Sequence, residues 1–560
     1  MTPTLFQSER GLPSVRFGPE ALEDPIDPED GARAFVRPDQ LGGGDHVVVF
    51  GAGLGYRLRR LDELGAAPIV FEPCPDVLRL AREHGPGVPA TTPVFTDPAA
   101  LHQHLLRVSG PDDRTLLLCP PPYQRAFPDA YASVSRLIDE VQGLVLLRRN
   151  SIAERSAPMV EQAIVNLPRL ASVPTLDGLG RPLDGVPAFL VAAGPSLDRN
   201  RHLLSAAAER GAVFAVNTSA PAIAAVGAPI DLLVVLEMLD VSRNMEVARD
   251  VTRAIALDVS AGRANYDVLD APAVAYCGDA THYRWLADRI GTAPVGYGGS
   301  VATAAFALAA RLGADPIVLL GQDLAYTGGR GYASDTLFDE TTVRRDGRHL
   351  VIERVAAWEE ITRSGGLKVP GKVRPCVDLP AWGGEGEVMS THELVCFLRW
   401  FEGAARAMKG TRRLVNATEG GASIDGFEET PLAALLDELP PRSHGLAEAL
   451  ASAPALGPDG VRRAAREIAD GSRALATAAK RCERALAKGD ARALARATAA
   501  VGALAKEAPL VEAHVAGELA AILADEDLAP APRERRTWGA IRSSAQRCAD
   551  LARAAACEVD

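Results

Sequence analysis

The stretch 188-AFLVAAGPSLDRN-200 sets the fold class that the sequence predicts. Its first part is an apolar run typical of a buried strand, and a helix is expected to begin just after the turn Gly194-Pro195-Ser196. Gly194 permits a sharp turn, Pro195 fixes φ, and Ser196 is suited to cap the helix. A strand that leads straight into a helix is the repeating unit of a doubly wound α/β sheet.

The same alternation continues on the C-terminal side of this stretch. Strands are predicted at 212-AVFAVN-217, 231-DLLVVLE-237 and 316-PIVLLGQDLAY-326, and helices over 198–209, 219–226 and 300–313. Residues 327–385 are rich in Gly and charge, which predicts a long mobile loop or a small insertion, and a helix is expected over 388–406. These residues together predict a parallel sheet with helices on both faces.

A second α/β pattern precedes the first. The strand 46-HVVVF-50, the turn 51-GAGLGY-56, a helix and the strand 68-PIVFEP-73 predict the opening of a βαβ unit. Two further apolar runs, 115-TLLLCP-120 and 144-LVLL-147, are expected to extend its sheet. Beyond Pro431 the only aromatic residue is Trp538, and Ala, Leu, Arg and Glu recur at helical spacing, which predicts a helical bundle.

The predicted fold class is therefore α/β, with two Rossmann-like doubly wound domains followed by an α-helical C-terminal domain. The expected limits are an irregular lead-in at 1–42, an N-terminal Rossmann-like domain at 43–150, a central nucleotide-binding domain at 151–430 and a helical domain at 431–560.

Composition limits the classes of function. Of the 560 residues, 47% are hydrophobic and 24% are charged, and the net charge is −12, which argues against a broad nucleic-acid surface. The acidity lies before Pro431, because the residues from there on carry 18 basic and 18 acidic side chains. The eight cysteines are scattered without metal-ligand spacing, and neither a signal peptide nor a membrane segment is recognised. We therefore expect a cytoplasmic protein with no structural zinc, no nucleic-acid partner and no membrane association.

Polar residues follow the apolar part of several strands in the central domain. These are Asn217 and Thr218, Glu237 and Asp240, and Gln322 and Asp323. The carboxyl ends of parallel strands meet at one edge of a sheet, so we expect these groups to lie together around a ligand. The helix start at Ser196 is suited to hold an anionic group, most often a phosphate, although an ordinary strand-to-helix turn explains the same residues. Glu237 and Asp240 alone do not predict a metal site.

The turn 51-GAGLGY-56 invites a different interpretation. With Glu72 after the second strand, it has the layout that binds S-adenosylmethionine or a dinucleotide. A lone glycine pattern is weak, so no cofactor is assigned to it.

Five segments carry a family resemblance: 194-GPSL-197, 215-AVNT-218, 229-PIDLLVVLE-237, 298-GGSVATAAFALAARLGADPIVLLGQDLAYT-327 and 416-NATEGGASIDG-426. They resemble the motility-associated factor (Maf) flagellin glycosyltransferases over residues 40–435. The resemblance implies transfer of a nonulosonic acid, of the pseudaminic or legionaminic type, from a CMP-activated donor to Ser or Thr of flagellin or another protein acceptor. It implies no further cofactor.

The central domain is also similar to bacterial sialyltransferases that use CMP-sialic acid. The matching positions are Gly194, Pro195, Ser196, Asn217, Gly299, Ser300, Gln322 and Asp323, and the similarity implies that they surround the nucleotide and its phosphate. Asp323 and Gln322 are the catalytic candidates. Thr218 and Glu237, which follow strands, and Tyr326, whose hydroxyl is suited to stabilise the leaving phosphate, complete the predicted substrate site. Glu237 stands where many relatives have Asp, and Tyr332 where Maf members often have His, so neither is expected to act as a metal ligand or base.

The acceptor hydroxyl must lose a proton, and Asp323 and, secondarily, His282 are the candidate bases. Two other functions remain open. One is an ATP-dependent pyrophosphokinase, because archaeal 6-hydroxymethylpterin diphosphokinases share the central pattern. The other is a non-catalytic, motility-associated binding protein.

Overall fold

A computed structural model describes residues 2–41, 46–109, 114–268, 270–354, 369–525 and 528–559. The chain divides into two compact units, residues 1–151 and 152–560. The predicted domain boundary at residues 42 and 43 lies outside the described residues.

The first unit begins with regular structure where an irregular lead-in was expected. An antiparallel sheet is formed by β1 (Thr4–Gln7), β2 (Pro13–Phe17) and β3 (Glu20–Ala21), and helix α1 (Pro28–Phe35) follows. Val15 and Leu22 are fully buried in the hydrophobic core of this unit. The sheet was not predicted because the segment is rich in Pro, Asp and Glu. Burial of Val15 and Leu22 stabilises it.

The rest of the first unit is a Rossmann-like layer. Its parallel sheet has the order β6–β5–β4–β7. The elements are β4 (His46–Phe50), α2 (Tyr56–Glu63), β5 (Pro68–Phe71), α3 (Pro75–His84), β6 (Val94–Phe95), α4 (Pro98–Val108), β7 (Thr115–Leu118), α5 (Pro121–Ala126) and the part of α6 (Pro128–Val165) that precedes residue 152. The strand expected at 144-LVLL-147 is wrong, since these residues belong to α6. A short apolar run does not by itself distinguish strand from helix.

The second unit contains an eight-stranded parallel sheet of order β12–β11–β10–β9–β8–β13–β19–β20. Its strands are β8 (Ala188–Val191), β9 (Ala212–Val216), β10 (Leu232–Val235), β11 (Ile255–Asp258), β12 (Ala273–Tyr276), β13 (Ile317–Leu320), β19 (Leu414–Asn416) and β20 (Glu428–Glu429). β8, β9, β10 and β13 are the strands that the sequence predicts, whereas β11, β12 and β19 were not predicted. The predicted fold class is confirmed.

Helices cover both faces of this sheet, as a doubly wound fold requires. They are α7 (Leu167–Leu170), α8 (Leu197–Asn200), α9 (Leu204–Ala208), α10 (Ala220–Ala224), α11 (Ser242–Val247), α12 (Arg263–Asp267), α13 (Thr281–Ile290), α14 (Val301–Leu312) and α15 (His392–Met408). α14 packs across β8, β9, β10 and β13. The helix expected over 388–406 begins later, at His392, because the strand Glu387–Ser390 precedes it.

The segment 327–385 forms a structured insertion rather than a loop. It contains the antiparallel strands β14 (Thr342–Asp346), β15 (His349–Arg354) and β16 (Val369–Pro375), and β17 (Val377–Pro380), which pairs with β18 (Glu387–Ser390). Residues 355–368 of the expected loop lie outside the described residues. Val343, Leu350 and Ile352 of the insertion pack with Tyr326, just after β13.

The C-terminal part is helical, as expected. Its helices are α16 (Leu432–Glu438), α17 (Leu446–Ser452), α18 (Pro458–Lys488), α19 (Ala491–Glu507), α20 (Pro509–Ala524) and α21 (Pro530–Glu558). α18 and α21 pack together through small side chains, including Ala465, Ala479 and Ala549, all fully buried. Of the helices in the described part of the chain, none combines the length and apolarity needed to cross a bilayer.

Candidate active site

The centre of the large sheet is the point at which the strand order reverses. From β8 the chain adds β9 to β12 on one side, and β13 then pairs with β8 on the other. In open α/β sheets a crevice forms at such a switch point, at the carboxyl ends of the strands. At this switch point the turn Gly194-Pro195-Ser196 after β8 meets Gln322-Asp323 after β13.

Asp323 links the two sides of this crevice. The Ser196 hydroxyl donates to its Oδ1 at 2.5 Å, and the Ser196 backbone N–H lies 3.3 Å from both carboxylate oxygens. The Thr327 hydroxyl donates to Oδ2. A β-carbon at Gly194 would collide with Oδ1, so glycine is required for this close approach. The predicted neighbours Gly194, Pro195, Ser196, Gln322 and Asp323 thus lie together.

The loop 416-NATEGGASIDG-426 covers Asp323 from a third strand, β19. Ala422 N–H donates to the Asp323 backbone carbonyl at 2.7 Å, and Gln322 N–H donates to the Thr418 hydroxyl at 3.3 Å. Gly421, with φ of +73°, lies against the backbone of Asp323 so closely that a β-carbon would overlap it. The contact explains why two adjacent glycines occur in this segment.

Two non-glycine residues beside Asp323 adopt left-handed backbone conformations. Leu324 has φ of +52° and Glu419 has φ of +59°. The Ser390 hydroxyl donates to Leu324 O at 2.8 Å, and Glu419 Oε1 accepts from Asn200 Nδ2 and Leu432 N–H, both at 3.0 Å. Strain of this kind costs about 1–3 kcal/mol per residue and clusters at functional sites. The loops around Asp323 are therefore held in an unfavourable geometry by specific contacts.

The environment of Asp323 favours a positioning role. The residue is 2% exposed, and burial raises the pKa of its carboxyl although the donors from Ser196 and Thr327 oppose this. Both oxygens already accept hydrogen bonds from the protein. The role of Asp323 as a catalytic residue stays a prediction.

The helix start at Ser196 differs from the one expected. Ser196 makes no side-chain capping bond, and α8 is only four residues long. The Ser196 backbone N–H, which was expected to face a phosphate, instead donates to the Asp323 carboxylate. The anion at this turn is therefore a side chain of the protein itself. The longer helix α14 has a capped start instead: Ser300 Oγ accepts from Thr303 N–H at 3.3 Å.

Asn217 stands out at the end of β9, next to β8. It is 1% exposed, and its Oδ1 has no hydrogen-bond partner among the described residues. The Ser219 hydroxyl donates to Val191 O at 2.7 Å and so ties the end of β9 to the end of β8. Buried polar atoms are almost always hydrogen-bonded, so Asn217 Oδ1 is a candidate contact for a ligand.

The remaining predicted site residues lie along the same edge. Gln322 is 9% exposed, and Glu237 follows β10 with its Oε1 accepting from Leu239 N–H at 3.3 Å. Thr218 is half-buried after β9, and Gly299 is exposed before α14. Tyr326 instead packs with the insertion, so it lies under β14–β15.

Sequence reasoning missed a buried acid at this edge. Asp258 ends β11 and is fully buried; its Oδ1 accepts from Ser260 N–H at 2.8 Å and from the Ser260 hydroxyl at 2.6 Å. The Tyr297 hydroxyl donates to Oδ2 at 2.9 Å. Burial raises the pKa of Asp258 to about 6. Since Tyr297 directly precedes Gly298-Gly299-Ser300, Asp258 fixes the backbone ahead of α14.

His282 and Tyr332 have separate environments. His282 lies in the first turn of α13 with its ring 4.2 Å from that of Tyr283, and burial lowers its pKa to about 4. The imidazole is therefore neutral at pH 7. Tyr332 stacks near Phe338 at 5.2 Å between ring centroids.

A cavity of about 640 Å³ opens at the opposite, amino-terminal edge of the sheet. Its buried acid, Asp231, is matched by Arg253 at 2.7 Å and His444 at 3.5 Å, and it accepts Val213 N–H at 2.8 Å. Burial acts to raise the pKa of Asp231, but the hydrogen bonds from His444 and Val213 outweigh it, so the pKa is lowered. The bond to His444 connects the segment before α17 to the sheet, so we assign Asp231 a structural role. The candidate site is therefore the carboxyl-end edge of the sheet.

Comparison with solved structures decides the fold. The structure of a Maf glycosyltransferase from Magnetospirillum magneticum AMB-1 matches 100% of this chain and 92% of that chain, with a TM-score of 0.56 and 18% sequence identity. The chain has the fold of a Maf glycosyltransferase. The match includes both the Rossmann-like layers and the helical C-terminal part, so the resemblance expected from the sequence is confirmed at the level of the Maf fold.

A family model gives a second similarity. The model for MptE-like proteins, described as 6-hydroxymethylpterin diphosphokinase MptE-like, matches residues 161–329. This range holds β8 to β13 and therefore the two strand ends that form the crevice of the Maf fold. A search of curated proteins finds no match.

Proposed function

We propose that the chain is a glycosyltransferase that moves a nonulosonic acid, of the pseudaminic or legionaminic type, from a CMP-activated donor to Ser or Thr of flagellin. The observation that carries the proposal is the switch point of the sheet within a Maf fold, where Asn217 follows β9 and Gln322 follows β13, the two strands that flank β8. The Oδ1 atom of Asn217 has no hydrogen-bond partner among the described residues. The segments that resemble Maf enzymes form this crevice.

The chemistry sets the requirements for such a site. The bond between the anomeric carbon and the phosphate oxygen of CMP breaks, so positive charge develops on the sugar and negative charge on the leaving phosphate. The acceptor oxygen forms the new bond and gives up its proton. Fixed hydrogen-bond donors near the leaving phosphate would stabilise this transition state.

The start of α14 is suited to that task. The first backbone N–H groups of a helix have no acceptor within the helix, and the helix dipole favours an anion there. Gly299 leaves the approach open, since no atom lies within 4 Å of the β-carbon that another residue would add. Ser300 and the amides after it would therefore hold the leaving phosphate, while Asn217 and Gln322 hydrogen-bond the nucleotide.

Asp323 would act by positioning. Its bonds to Ser196 and Thr327 hold the two sides of the crevice at a fixed separation. Asp258 would do the same for Tyr297 and the loop before Ser300. Of the two bases nominated by the sequence, His282 is neutral, but its pKa of about 4 makes it a weak proton acceptor. Both oxygens of Asp323 already accept hydrogen bonds from Ser196 and Thr327.

The match to MptE-like proteins favours one alternative, a pyrophosphokinase that uses ATP with Mg²⁺. That match covers only residues 161–329, and the first unit and the helical part lie outside it. A preference for CMP over ATP with Mg²⁺ would distinguish the glycosyltransferase from the pyrophosphokinase.

Thermal unfolding with added nucleotide measures this preference. We expect CMP at millimolar concentration, without a metal, to raise the unfolding temperature of the full chain, because a ligand that binds only the folded state stabilises it by mass action. ATP with Mg²⁺ is expected to give no rise. The reverse result would favour the pyrophosphokinase, and a rise with neither would favour a non-catalytic binding protein.

A further inference from the structure

The turn 51-GAGLGY-56 of the first unit has its amides occupied by side chains of the same chain. Ala52 N–H donates to Glu72 Oε2 at 2.8 Å, Gly53 N–H donates to the Tyr123 hydroxyl oxygen at 2.9 Å, and Leu54 N–H donates to Glu23 Oε1 at 2.8 Å. In a dinucleotide-binding Rossmann fold, amides of this turn face the pyrophosphate. Three successive amides are therefore unavailable to such a ligand.

The space that the glycines create is also filled. A β-carbon at Gly51 would lie 2.5 Å from carbons of the Tyr123 ring, and one at Gly53 would lie 2.5 Å from Glu23 Oε1. Glu72 and Tyr123 are fully buried, and Glu23 is 4% exposed. The sequence pattern predicts that the Glu72 carboxylate binds a ribose. In the structure this carboxylate instead accepts a hydrogen bond from Ala52 N–H of the turn.

The charges in this cluster would oppose a phosphate. Two carboxyl groups, of Glu23 and Glu72, share one buried cation, Arg57, which is 6% exposed. Arg57 donates to Leu22 O at 3.2 Å, and its guanidinium lies 5.7 Å from the centroid of the Tyr123 ring. A buried pair of carboxylates with one guanidinium is balanced only if one carboxyl keeps its proton.

The hydrogen bonds identify which carboxyl keeps it. Glu72 accepts three bonds on its two oxygens, from Ala52 N–H, from the Tyr123 hydroxyl at 2.8 Å and from Cys74 N–H at 3.0 Å, which favours the ionised form. Glu23 accepts one, and its buried Oε2 has no partner among the described residues. Glu23 is thus the better candidate for the neutral acid.

The tyrosine and cysteine groups that face the cluster add no charge near neutral pH. Burial raises the pKa of Tyr56 and of Cys119 to about 12, and it raises those of Tyr123 and Cys74 as well. Burial likewise raises the pKa of Glu23 and of Glu72 to about 7, with Arg57 opposing the shift in each. Arg57 therefore remains the cation against which the two acids are balanced.

We infer that side chains of this chain block the nucleotide site at the turn, so that the first unit binds neither a dinucleotide nor S-adenosylmethionine. Glu72, Tyr123 and Glu23 accept the hydrogen bonds of the turn's amides. Of the two carboxyl groups, that of Glu23 is the neutral acid. The segment between β3 and α1 supplies Glu23, so the lead-in completes the closure. This inference is independent of the transferase function.

The first test is ligand binding to the full chain. NAD⁺, NADP⁺ and S-adenosylmethionine at millimolar concentration should leave the unfolding temperature unchanged. A rise with any of them that disappears in the Glu72→Gln variant would overturn the inference.

The second test is the pH dependence of the Glu23→Gln variant. A pKa that is higher in the folded than in the unfolded state stabilises the protein at low pH, and this contribution is lost as pH rises between about 4.5 and 7. Glutamine keeps an acceptor for Leu54 N–H and cannot ionise. We expect the variant to match the wild type at pH 4 and to unfold about 5 °C above it at pH 8.5.

Glu63→Gln, on α2 with a 47% exposed side chain, is the matched control and should follow the wild type at both pH values. Glu72→Gln should lower the unfolding temperature at both, because it loses bonds made by the carboxylate. A Glu23→Gln variant less stable than the wild type at pH 8.5, or a pH-dependent gain in Glu72→Gln, would contradict the assignment of the proton to Glu23.

Discussion

Replacing Asp323 with alanine is expected to lower glycosyl transfer by about 100-fold or more, since small displacements of a reacting group have effects of that size. The substitution removes the acceptor for Ser196 and Thr327 and leaves buried donors without partners. Each such donor costs about 1–3 kcal/mol, so the free energy of unfolding should fall as well. Transfer to flagellin and urea unfolding of the same preparation measure the two effects.

Asp323→Asn distinguishes positioning from proton transfer. Its amide oxygen still accepts from Ser196, and hydroxyl groups are able to reverse their bonds, so a positioning role predicts partial activity with a modest loss of stability. A variant that is as stable as the wild type but has no activity would instead support a catalytic role. Asp240→Ala is the control, because Asp240 is exposed at the same sheet edge and, among the described residues, its side chain accepts a hydrogen bond only from Ser242 N–H. Full activity in Asp323→Ala would remove Asp323 from the account.

Replacing Asn217 with alanine is expected to weaken CMP binding by about 10-fold or more, the equivalent of one or two hydrogen bonds. The free energy of unfolding without ligand should not fall, because Asn217 Oδ1 has no partner to lose within the described part of the chain. A residue that contributes to ligand binding and not to stability is expected where a site is kept for function. Calorimetric titration with CMP and thermal unfolding of the apo protein give the two values.

Ser443→Ala is the control for the Asn217 variant, because Ser443 lines the cavity at the opposite edge of the sheet. Its affinity for CMP should equal that of the wild type. If Asn217→Ala binds CMP normally but unfolds more easily, Asn217 is a structural residue and the proposed nucleotide position is wrong.

The sequence predicts the fold of the crevice well because the relevant signals are local. The run 188-AFLVAA-193 and the residues after it specify strand and turn within a few positions, and the same holds for 316-PIVLLGQDLAY-326. Parallel strands with polar ends then imply a shared edge. The juxtaposition of Ser196 and Asp323 follows from that topology, although the bond between them does not.

The contacts missed from the sequence are made between distant residues. Glu23 reaches Leu54 across 31 positions and Tyr123 reaches Gly53 across 70, so the pattern GAGLGY alone suggested an open cofactor site. Asp258 and Tyr297 are 39 positions apart, and neither belongs to a segment with a functional pattern. A short motif predicts the backbone conformation of a turn. Tertiary packing decides whether a ligand or a side chain of the protein binds the amides of that turn.

Mass spectrometry of flagellin tests the central claim most directly. Flagellin is purified from cells that carry the wild-type chain, the Asp323→Ala variant or no copy, all supplied with the same CMP-activated nonulosonic acid. The account predicts peptides whose Ser or Thr residues carry the mass of a nonulosonic acid in the wild type and their loss in the other two. Identical flagellin masses in all three strains would contradict it.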